Sequence, residues 1–334
     1  MADLPTAIEA LAEVSPRLWI KRDDRTSAIY GGNKVRKLEF ILADVLRSGC
    51  RQLVSFGATG THHGVATAAF CQQHGIACTL LLFDQPPSPR VAQNLRMMQY
   101  FGAELIYCGS LWHTVLNFYL LQRRRYRGAY FLFAGGSNVA GCIGLVNAAF
   151  ELSQQIEQGL MPQPAVIYCA LGSGSTLAGL SLGCALAGLS CQVRGVRVAP
   201  SHLGVIPSCT VGTVTRLMQQ TYRHLRRHEP AIPAIRLPRV DIEQGYFGEG
   251  YGVPTAAARK ALVRMADAGI KLELTYTAKA VAAVLEYCEG HPDHQVLYWH
   301  SYNSSDLKAR AASADVSKLA PGLQQVLQRA EARQ

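Results

Sequence analysis

Short apolar runs alternate with longer amphipathic segments along most of the chain. The apolar runs have the length of strands, and several contain no charged residue, as in strands buried on both faces of a parallel sheet. Strands are predicted over residues 52–56, 77–83, 104–107, 130–133, 165–169, 191–198 and 295–299. The segments between them place apolar residues at helical spacing. Helices are predicted over residues 37–48, 67–74, 89–100, 143–158, 175–187, 211–227, 255–268 and 277–289.

This alternation predicts the α/β fold class, with largely parallel, doubly wound sheets flanked by helices. A chain of 334 residues exceeds what one hydrophobic core usually serves, so two domains are expected. We predict a small domain over residues 42–150 and a large, discontinuous domain formed by residues 1–41 and 151–334. In such folds ligands bind beyond the carboxyl ends of the strands, and functional residues are expected there.

The composition, 49% hydrophobic and 17% charged residues, is that of a compact enzyme. No leader resembling a signal peptide opens the sequence, and no apolar stretch reaches the roughly 20 residues of a membrane span. A cytoplasmic protein without a membrane partner is therefore expected. The ten cysteines show no CxxC or Cys/His ligand spacing, which indicates buried thiols in a reducing compartment and no metal site.

The formal net charge of +10 raises the question of a nucleic-acid partner. The basic residues are dispersed, however, apart from one short cluster of Arg123, Arg124, Arg125 and Arg127. A solvated helix end explains this cluster better than a footprint for polyanions, although the second interpretation stays open. No nucleic-acid partner is predicted, and an anionic substrate and cofactor would also suit a positive surface.

One lysine follows two glycines at the start of a helical pattern, in the run Gly31-Gly32-Asn33-Lys34-Val35-Arg36-Lys37. Schiff-base chemistry requires an amine that loses its proton near neutral pH, and neighbouring positive charge or burial lowers a lysine pKa. Arg36 and Lys37 supply such charge. Taken alone, the motif is more typical of a glycine turn with a basic helix start.

A second motif, Gly172-Ser173-Gly174-Ser175-Thr176, directly follows a predicted strand. Its glycines let backbone N–H groups converge, its hydroxyls add donors, and a helix N-terminus follows, as in a phosphate-binding loop. It lacks the lysine of a P-loop and the spacing of the dinucleotide fingerprint, so a small phosphate ester fits better than ATP or NAD. A helix entry rich in capping residues is the alternative.

A single cofactor would use both motifs, because pyridoxal phosphate brings an aldehyde for Lys34 and a phosphate for the loop. At this point the sequence resembles the aminocyclopropane-carboxylate deaminase and D-cysteine desulfhydrase family, whose fold is that of tryptophan-synthase-β-like (fold type II) pyridoxal-phosphate enzymes. The resemblance covers most of the chain. It rests on the runs Lys21-Arg22-Asp23-Asp24, Gly31 to Glu39, Gly135-Gly136-Ser137-Asn138, Glu151-Leu152, the phosphate loop and Tyr276-Thr277-Ala278-Lys279-Ala280.

The resemblance implies that Lys34 carries the cofactor as an internal aldimine and moves a proton at the substrate α-carbon. Thr277 falls at the partner of the pyridine nitrogen, where a hydroxyl favours elimination or replacement at the β-carbon over ring opening. Tyr251 and Tyr276 match two active-site tyrosines, with satisfied core tyrosines as the alternative. The residues implied to hold the phosphate are Gly172, Ser173, Gly174, Ser175 and Thr176.

The sequence departs from the family where the substrate is usually gripped. Relatives carry Gln-Ser-Asn-His, whereas the aligned positions here are Gly60, Thr61, His62 and His63. We predict that these four residues contact the substrate, that His62 also contacts the cofactor, and that either histidine serves as an acid or base. A second departure places Tyr302 and Asn303 where relatives have small residues, and Tyr302 is a further candidate for substrate contact.

Together these residues predict an enzyme that acts on a small amino acid by α-proton abstraction and β-elimination, releasing pyruvate and ammonia as a D-cysteine desulfhydrase does. Two alternatives stay open, a β-replacing amino-acid synthase and a catalytically weak protein that binds the cofactor. A homodimer is expected from the family.

Overall fold

The structure is a computed structural model that describes residues 1–203 and 206–333. Residues 204, 205 and 334 of the predicted large domain lie outside this part. In chain order the strands are β1 (Ile8–Ala10), β2 (Leu18–Lys21), β3 (Gln52–Ala58), β4 (Ala77–Phe83), β5 (Glu104–Gly109), β6 (Tyr130–Phe131), β7 (Val166–Leu171), β8 (Gln192–Arg197), β9 (His202–Leu203), β10 (Ile206–Pro207), β11 (Asp241–Glu243) and β12 (Val296–Trp299).

The helices are α1 (Asn33–Arg47), α2 (His62–Gln73), α3 (Pro89–Tyr100), α4 (Leu111–Leu116), α5 (Gln122–Arg125), α6 (Val139–Glu157), α7 (Ser175–Leu186), α8 (Val211–His228), α9 (Ala256–Asp267), α10 (Thr277–Gly290), α11 (Lys308–Ala312) and α12 (Pro321–Glu331). A π-helical segment, Asn117–Leu121, joins α4 to α5. Single 3-10 turns occur at Asp23–Arg25, Ala134–Gly136 and Val316–Lys318. No helix in the described ranges combines the length and apolarity that crossing a membrane requires.

The chain forms two compact units, a smaller one made of Met1, 41–136 and 305–334, and a larger one made of 2–40 and 137–304. The predicted division differs from these units at two segments. Residues 137–150 belong to the larger unit because α6 packs closely on α7. Residues 305–334 belong to the smaller unit, where α12 packs on α3 and Arg96 pairs with Glu331 at 2.6 Å.

A six-stranded sheet in the order β1-β2-β12-β7-β8-β11 forms the centre of the larger unit, as far as its residues are described. All neighbouring strands are parallel except β1 and β2. The central strands β7 and β12 are buried almost throughout, which explains their uninterrupted apolar sequence. Helices cover the sheet on both sides in two separate apolar clusters, so the predicted doubly wound α/β arrangement is confirmed.

The smaller unit is built on a parallel sheet in the order β5-β4-β3-β6. Strands β3 and β4 end side by side, with Ala58 opposite Phe83. The loops that follow these two strands therefore leave the sheet at the same edge. In α/β folds this carboxyl edge is where ligands bind.

Helices α1, α6 and α7 of the larger unit pack at the closeness that only glycine allows. A Cβ on Gly144 of α6 would lie 2.0 Å from the carbonyl oxygen of Arg36 in α1. On α7, a Cβ on Gly179 would lie 2.6 Å from the carbonyl oxygen of Cys142, and one on Gly183 would lie 2.7 Å from that of Val146. These three glycines bring the helices into backbone contact.

A buried ion network supports the start of the larger unit. Arg36 donates to Asp23 at 2.7 and 2.8 Å and to Glu151 at 2.9 and 3.0 Å, and Lys21 donates to Glu151 at 2.5 Å. Trp299 of β12 donates to Asp23 at 2.6 Å. The network links β2, α1, α6 and β12, and therefore fixes the helix that carries Lys34.

Most predicted elements are present, but three helices, α1, α2 and α6, begin earlier than the sequence pattern indicates, and α6 begins at Val139 instead of residue 143. Helix α1 begins at Asn33 and α2 at His62, whereas the prediction began them at residues 37 and 67. Polar first turns hide the starts of α1 and α2, since their backbone is fixed by glycine or by a capping residue rather than by apolar spacing. Lys34 therefore lies in the first turn of α1.

Candidate active site

The turn before Lys34 depends on glycine at both positions. A Cβ on Gly31 would lie 2.0 Å from the carbonyl oxygen of Asp24, and Gly32 adopts φ +100° with the carbonyl oxygen of Ser301 only 2.8 Å from where its Cβ would be. Gly32 also donates its N–H to Asp23 at 2.8 Å. A larger residue at either position would displace the backbone that presents the lysine.

The segment after β12 holds this turn from the other side. Asn303 accepts a hydrogen bond from the Gly31 N–H at 2.7 Å, and the carbonyl oxygen of Tyr302 would lie 3.0 Å from a Cβ on Gly32. Both Tyr302 and Asn303 are buried. The departure from the family at these positions thus supports the lysine turn, while substrate contact by Tyr302 stays a prediction.

Lys34 has the electrostatic environment of a reactive amine. Desolvation lowers its pKa to about 8, against the opposing influence of the Glu273 carboxylate, which favours the charged form. Its Nζ lies 3.0 Å from the side-chain oxygen of Asn33. The neighbouring Lys37 is buried, and burial together with the charge of Lys34 lowers the Lys37 pKa well below its ordinary value. A neutral, nucleophilic amine is therefore accessible near neutral pH.

The second motif forms a loop between the end of β7 and the start of α7. Gly174 adopts φ +95° and precedes the first residue of α7, so the loop leads into a helix N-terminus whose first N–H groups have no partner within the helix. The Ser137 hydroxyl lies 2.7 Å from that of Ser173 and 3.1 Å from that of Ser175. Three hydroxyls and a helix N-terminus make this loop suitable for a phosphate dianion.

A hydrogen bond joins the lysine and the loop. Asn33 donates from its side-chain nitrogen to the Thr176 hydroxyl at 2.9 Å, while its side-chain oxygen accepts from Lys34. The structure therefore brings the predicted Lys34 and Gly172–Thr176 motifs together within one unit. An amine of lowered pKa at one end and a donor-rich loop at the other fit the aldehyde and the phosphate of pyridoxal phosphate.

The two predicted tyrosines lie beside this loop. A Cβ on Gly172 would lie 3.4 Å from the ring of Tyr276, and the hydroxyls of Tyr276 and Tyr251 are hydrogen-bonded to each other. Burial raises the pKa of Tyr251 to about 12 and also raises the pKa of Tyr276 well above its ordinary value. Both phenols are therefore protonated near neutral pH, and the pair shares one hydrogen-bond network.

Thr277 begins α10, and its hydroxyl is committed to Glu273. The hydroxyl oxygen accepts from the Glu273 N–H at 2.9 Å, and its hydrogen is directed at Glu273, whose carbonyl and carboxylate oxygens both lie at 3.2 Å. A hydroxyl has one hydrogen and two lone pairs. With its hydrogen on Glu273, Thr277 presents a lone pair, and so acts as an acceptor, to any further partner.

Glu273 is a buried carboxylate that the sequence patterns do not single out. It accepts the backbone N–H groups of Thr275, Tyr276 and Thr277 at 2.8 Å each, and so caps the N-terminus of α10. A glutamate four residues before a helix start is not a standard capping position, so only tertiary structure reveals it. The sequence patterns also assign no role to the side chains of Asn33 and Ser137, because their hydrogen bonds to distant residues are visible only in the tertiary structure.

The predicted substrate loop lies in the smaller unit, after β3. Thr61 caps α2, since its hydroxyl accepts the Gly64 N–H at 3.2 Å. His63 is 4% exposed, with its ring nitrogens 3.0 Å from the Ser55 hydroxyl and 3.4 Å from the Thr67 hydroxyl. This arrangement favours a packing role for His63, whereas His62 is half-buried. The Gly60 peptide groups are hydrogen-bonded to the side-chain amides of Gln85 and Asn94.

Comparisons with known proteins agree with this geometry. The profile of the pyridoxal-phosphate dependent enzyme family matches residues 2–301. A D-cysteine desulfhydrase of Klebsiella pneumoniae subsp. pneumoniae is 32% identical over 296 residues, which are 84% of this chain and 85% of that protein. A second D-cysteine desulfhydrase, from Klebsiella pneumoniae strain 342, is 32% identical over 297 residues, with the same coverage of both chains.

Solved structures share the fold. The crystal structure of an ACC deaminase homologue superimposes with a TM-score of 0.77 at 24% identity, covering 97% of this chain and 94% of that one. The processed form of threonine deaminase isoform 2 from Solanum lycopersicum gives 0.64 at 13% identity, covering 99% and 84%. With its profile match over residues 2–301 and its Lys34 joined to the Gly172–Thr176 loop through Asn33, the chain belongs to the family of pyridoxal-phosphate dependent enzymes.

Proposed function

We propose that this protein is a lyase or deaminase that uses pyridoxal phosphate to eliminate the β-substituent of a small amino acid, as a D-cysteine desulfhydrase does. The observation that carries the proposal is the hydrogen-bonded path from Lys34 through Asn33 to Thr176. It links a basic amine to a phosphate-binding loop at the start of a helix. With cysteine the balanced reaction consumes water and releases pyruvate, ammonia and hydrogen sulfide.

The proposed division of labour follows from the donors present. The phosphate of the cofactor is held by the Gly172–Thr176 loop, with Ser137 adding a hydroxyl. When bound, pyridoxal phosphate withdraws electrons from the α-carbon of the amino acid. The Lys34 amine, neutral above about pH 8, accepts the α-proton. Departure of the β-substituent with the electron pair of its bond to Cβ completes the elimination.

The tyrosine pair provides a proton for the leaving group in this proposal. Tyr276 and Tyr251 share a hydrogen bond, and burial keeps both phenols protonated. A thiolate or alkoxide that leaves Cβ is stabilised when a protonated donor stands beside it. Gly60, Thr61 and His62 remain the proposed substrate contacts, together with His63 and Tyr302.

The test is incubation of the purified protein with pyridoxal phosphate and a panel of D- and L-cysteine, D- and L-serine, chloroalanine and aminocyclopropane carboxylate. We expect pyruvate from one or more cysteine-like substrates. Lys34→Ala and Lys34→Arg should both abolish turnover and the visible absorption of the covalently bound cofactor. Cofactor absorption without turnover of any substrate would support the binding protein instead, and a new amino acid formed from added thiol would identify a replacing synthase.

The oligomeric state and the location of the protein are two further proposals. We propose a homodimer, which sedimentation of the purified chain tests directly, and a cytoplasmic location, which cell fractionation tests. The division into a small domain at 42–150 and a large remainder is tested by limited proteolysis, since cuts should fall at the borders of stable domains. Cleavage near residues 136 and 304 would instead favour the borders of the two compact units.

A further inference from the structure

The space that a side chain at position 60 would occupy is filled by Gln85. A Cβ built on Gly60 would lie 2.8 Å from the amide nitrogen of Gln85, 3.1 Å from its amide carbon and 3.0 Å from a methyl group of Val91. Gln85 can therefore hold this position only if residue 60 is glycine, and a side chain at position 60 would fit only if Gln85 moved away. Position 60 is also where the resemblance places a glutamine that this chain lacks.

The Gly60 peptide groups are held between two amide side chains. The Gly60 N–H donates to the Gln85 side-chain oxygen at 3.2 Å, and the Asn94 side-chain nitrogen donates to the Gly60 carbonyl oxygen at 2.7 Å. Because the Gly60 N–H needs an acceptor, the oxygen of the Gln85 amide must face it. The NH2 group of Gln85 makes no hydrogen bond within residues 1–203 and 206–333.

Gly60 and its two amide partners lie in a part of the smaller unit where hydrogen-bonding groups are left without a partner in the described residues. Gly60 follows the end of β3 by two residues, Gln85 follows the end of the adjacent β4 by two, and Thr61 caps the N-terminus of α2. Thr59 is fully buried, and its hydroxyl has no hydrogen-bond partner in the described part of the chain. A helix N-terminus, an unpartnered hydroxyl and a primary amide together suit an anion.

We propose that Gln85 is a substrate-binding residue whose amide NH2 donates to the α-carboxylate of the amino acid at the start of α2. The inference rests on the proposed function, which supplies an amino-acid substrate. An amide carried from β4 thus takes the place of a side chain missing from the β3 loop. The Gln85 amide and the N-terminus of α2 carry no formal charge, so they would recognise the carboxylate by hydrogen bonds and by the helix dipole.

The first experiment changes Gln85 without changing its neighbours. Gln85→Ala removes the donor, and Gln85→Glu keeps the shape but replaces the NH2 group by a charged oxygen that repels a carboxylate. We expect KM to rise roughly tenfold for Ala, as for loss of a hydrogen bond to a charged group, and more for Glu, with kcat within about threefold of wild type. Gln73→Glu, an exposed change at the far end of α2, is the matched control and should leave KM unchanged.

The second experiment tests the mutual requirement of the two positions. Gly60→Gln alone should raise KM, because its side chain displaces the Gln85 amide. The double variant Gly60→Gln/Gln85→Ala should recover a KM below that of either single variant, since one glutamine then occupies the space intended for one amide. Effects that simply multiply, with no recovery in the double variant, would overturn the proposal.

Two independent measurements separate this proposal from the one on which it rests. Substrate affinity is followed by the change in cofactor absorption on titration with amino acid, and thermal unfolding shows that each variant is folded. If wild type binds cofactor and turns over a substrate while Gln85→Glu keeps its KM and affinity, only the role of Gln85 is refuted. If wild type turns over nothing in the panel, the proposed function fails, and the carboxylate role of Gln85 fails with it.

Discussion

At the scale of single residues, the lowered pKa of Lys34 determines how the protein takes up its cofactor. Only a neutral amine attacks an aldehyde, so capture of pyridoxal phosphate by the cofactor-free protein should accelerate as pH rises through about 8 and then level off. A lysine in water would give a midpoint near 10.4. Stopped-flow absorption with a pH series measures this midpoint.

Lys34→Arg is the control for this prediction, because it keeps a positive side chain that forms no bond with the aldehyde. It should show no covalent capture at any pH. A capture rate in wild type that continues to rise toward pH 10 would mean that burial does not lower the Lys34 pKa, and would contradict the geometry described for the turn.

Glu273 should act on the same midpoint from a distance. Its carboxylate raises the Lys34 pKa, so Glu273→Gln is expected to move the midpoint below about 8. The same change weakens the acceptor of three N–H groups at the start of α10, at a cost of about 1–2 kcal/mol in the free energy of unfolding. Urea denaturation and the capture series measure the two effects separately.

Glu286→Gln is the matched control for Glu273→Gln. Glu286 lies on α10 as well, but its carboxylate bonds the Tyr246 hydroxyl at an exposed position. It should leave the capture midpoint where it is in wild type. An unchanged midpoint in Glu273→Gln would show that the carboxylate does not influence the amine.

At the residue scale, sequence patterns identify candidate residues where a motif is local. Lys34 and the Gly172–Thr176 loop are each contiguous, and the structure joins them as a single cofactor requires. Asn33 lies inside the motif that contains Lys34, but its hydrogen bond to Thr176 spans 143 residues. No rule of local residue spacing predicts such a bond. The same holds for Gln85, whose relation to Gly60 depends on the register of β3 against β4.

At the scale of elements, the glycine contacts between helices carry a clear stability prediction. Gly144→Ala would place a methyl group 2.0 Å from the Arg36 carbonyl oxygen, and both partners there are helix backbone that cannot rotate away. Helices α1 and α6 must separate, at a cost of about 1–3 kcal/mol or more. Chemical denaturation measures the loss, and affinity for pyridoxal phosphate should fall with it.

Gly290→Ala provides the comparison. Gly290 is the last residue of α10 and has no positive φ, and no atom lies within 4 Å of the position that a methyl group would take there, so alanine should be neutral or slightly stabilising. Equal stability of Gly144→Ala and Gly290→Ala would show that α1 and α6 do not pack through Gly144.

Element-scale prediction works best for buried strands and regular helices. The bounds predicted for residues 77–83 and 89–100 match β4 and α3, because an uninterrupted apolar run and a Ser-Pro helix start are unambiguous. Strands β1, β2 and β11 are missed because they are three or four residues long. Their pairing comes from neighbouring strands in the sheet rather than from their own sequence.

At the scale of the whole molecule, the buried ion network makes stability depend on acid. Burial alone would raise the Glu151 pKa, but Arg36 and Lys21 outweigh it and hold the pKa at about 2. Since this is below the ordinary value of 4.5, the stabilisation is fully present above about pH 4.5 and is lost as pH falls toward 2. A shift of this size corresponds to about 3 kcal/mol.

Glu151→Gln should remove this acid dependence and lower stability at neutral pH by about 3–5 kcal/mol, because Arg36 and Lys21 would remain buried beside a neutral amide. The measurement is the free energy of unfolding between pH 3 and pH 7. Asp315→Asn, which removes an exposed carboxylate paired with Lys318, is the control and should change little. If the free energy of unfolding of Glu151→Gln still fell with pH as it does in wild type, other carboxylates would be responsible for the acid dependence.

The borders of the two compact units are not marked by any local sequence pattern. The chain enters the smaller unit within α1, leaves it before Ser137 and returns to it after Ser304. Only packing reveals that return, as when Gly322 of α12 meets the Tyr107 ring, 2.4 Å from where a Cβ would be. The sequence of a helix does not indicate which of the two sheets the helix will pack against.

The glycine contacts that join α6 to α1 and α7 to α6 also set a length. Lys34 lies in the first turn of α1 and the Gly172–Thr176 loop leads into α7, and α1, α6 and α7 meet at backbone atoms that have no room to approach further. The distance available between the aldehyde end and the phosphate end of a ligand is therefore fixed by backbone contacts, which cannot adjust as side chains can. An aldehyde whose phosphate arm is one methylene longer should be rejected for its size, even though every hydrogen-bonding group it needs is present.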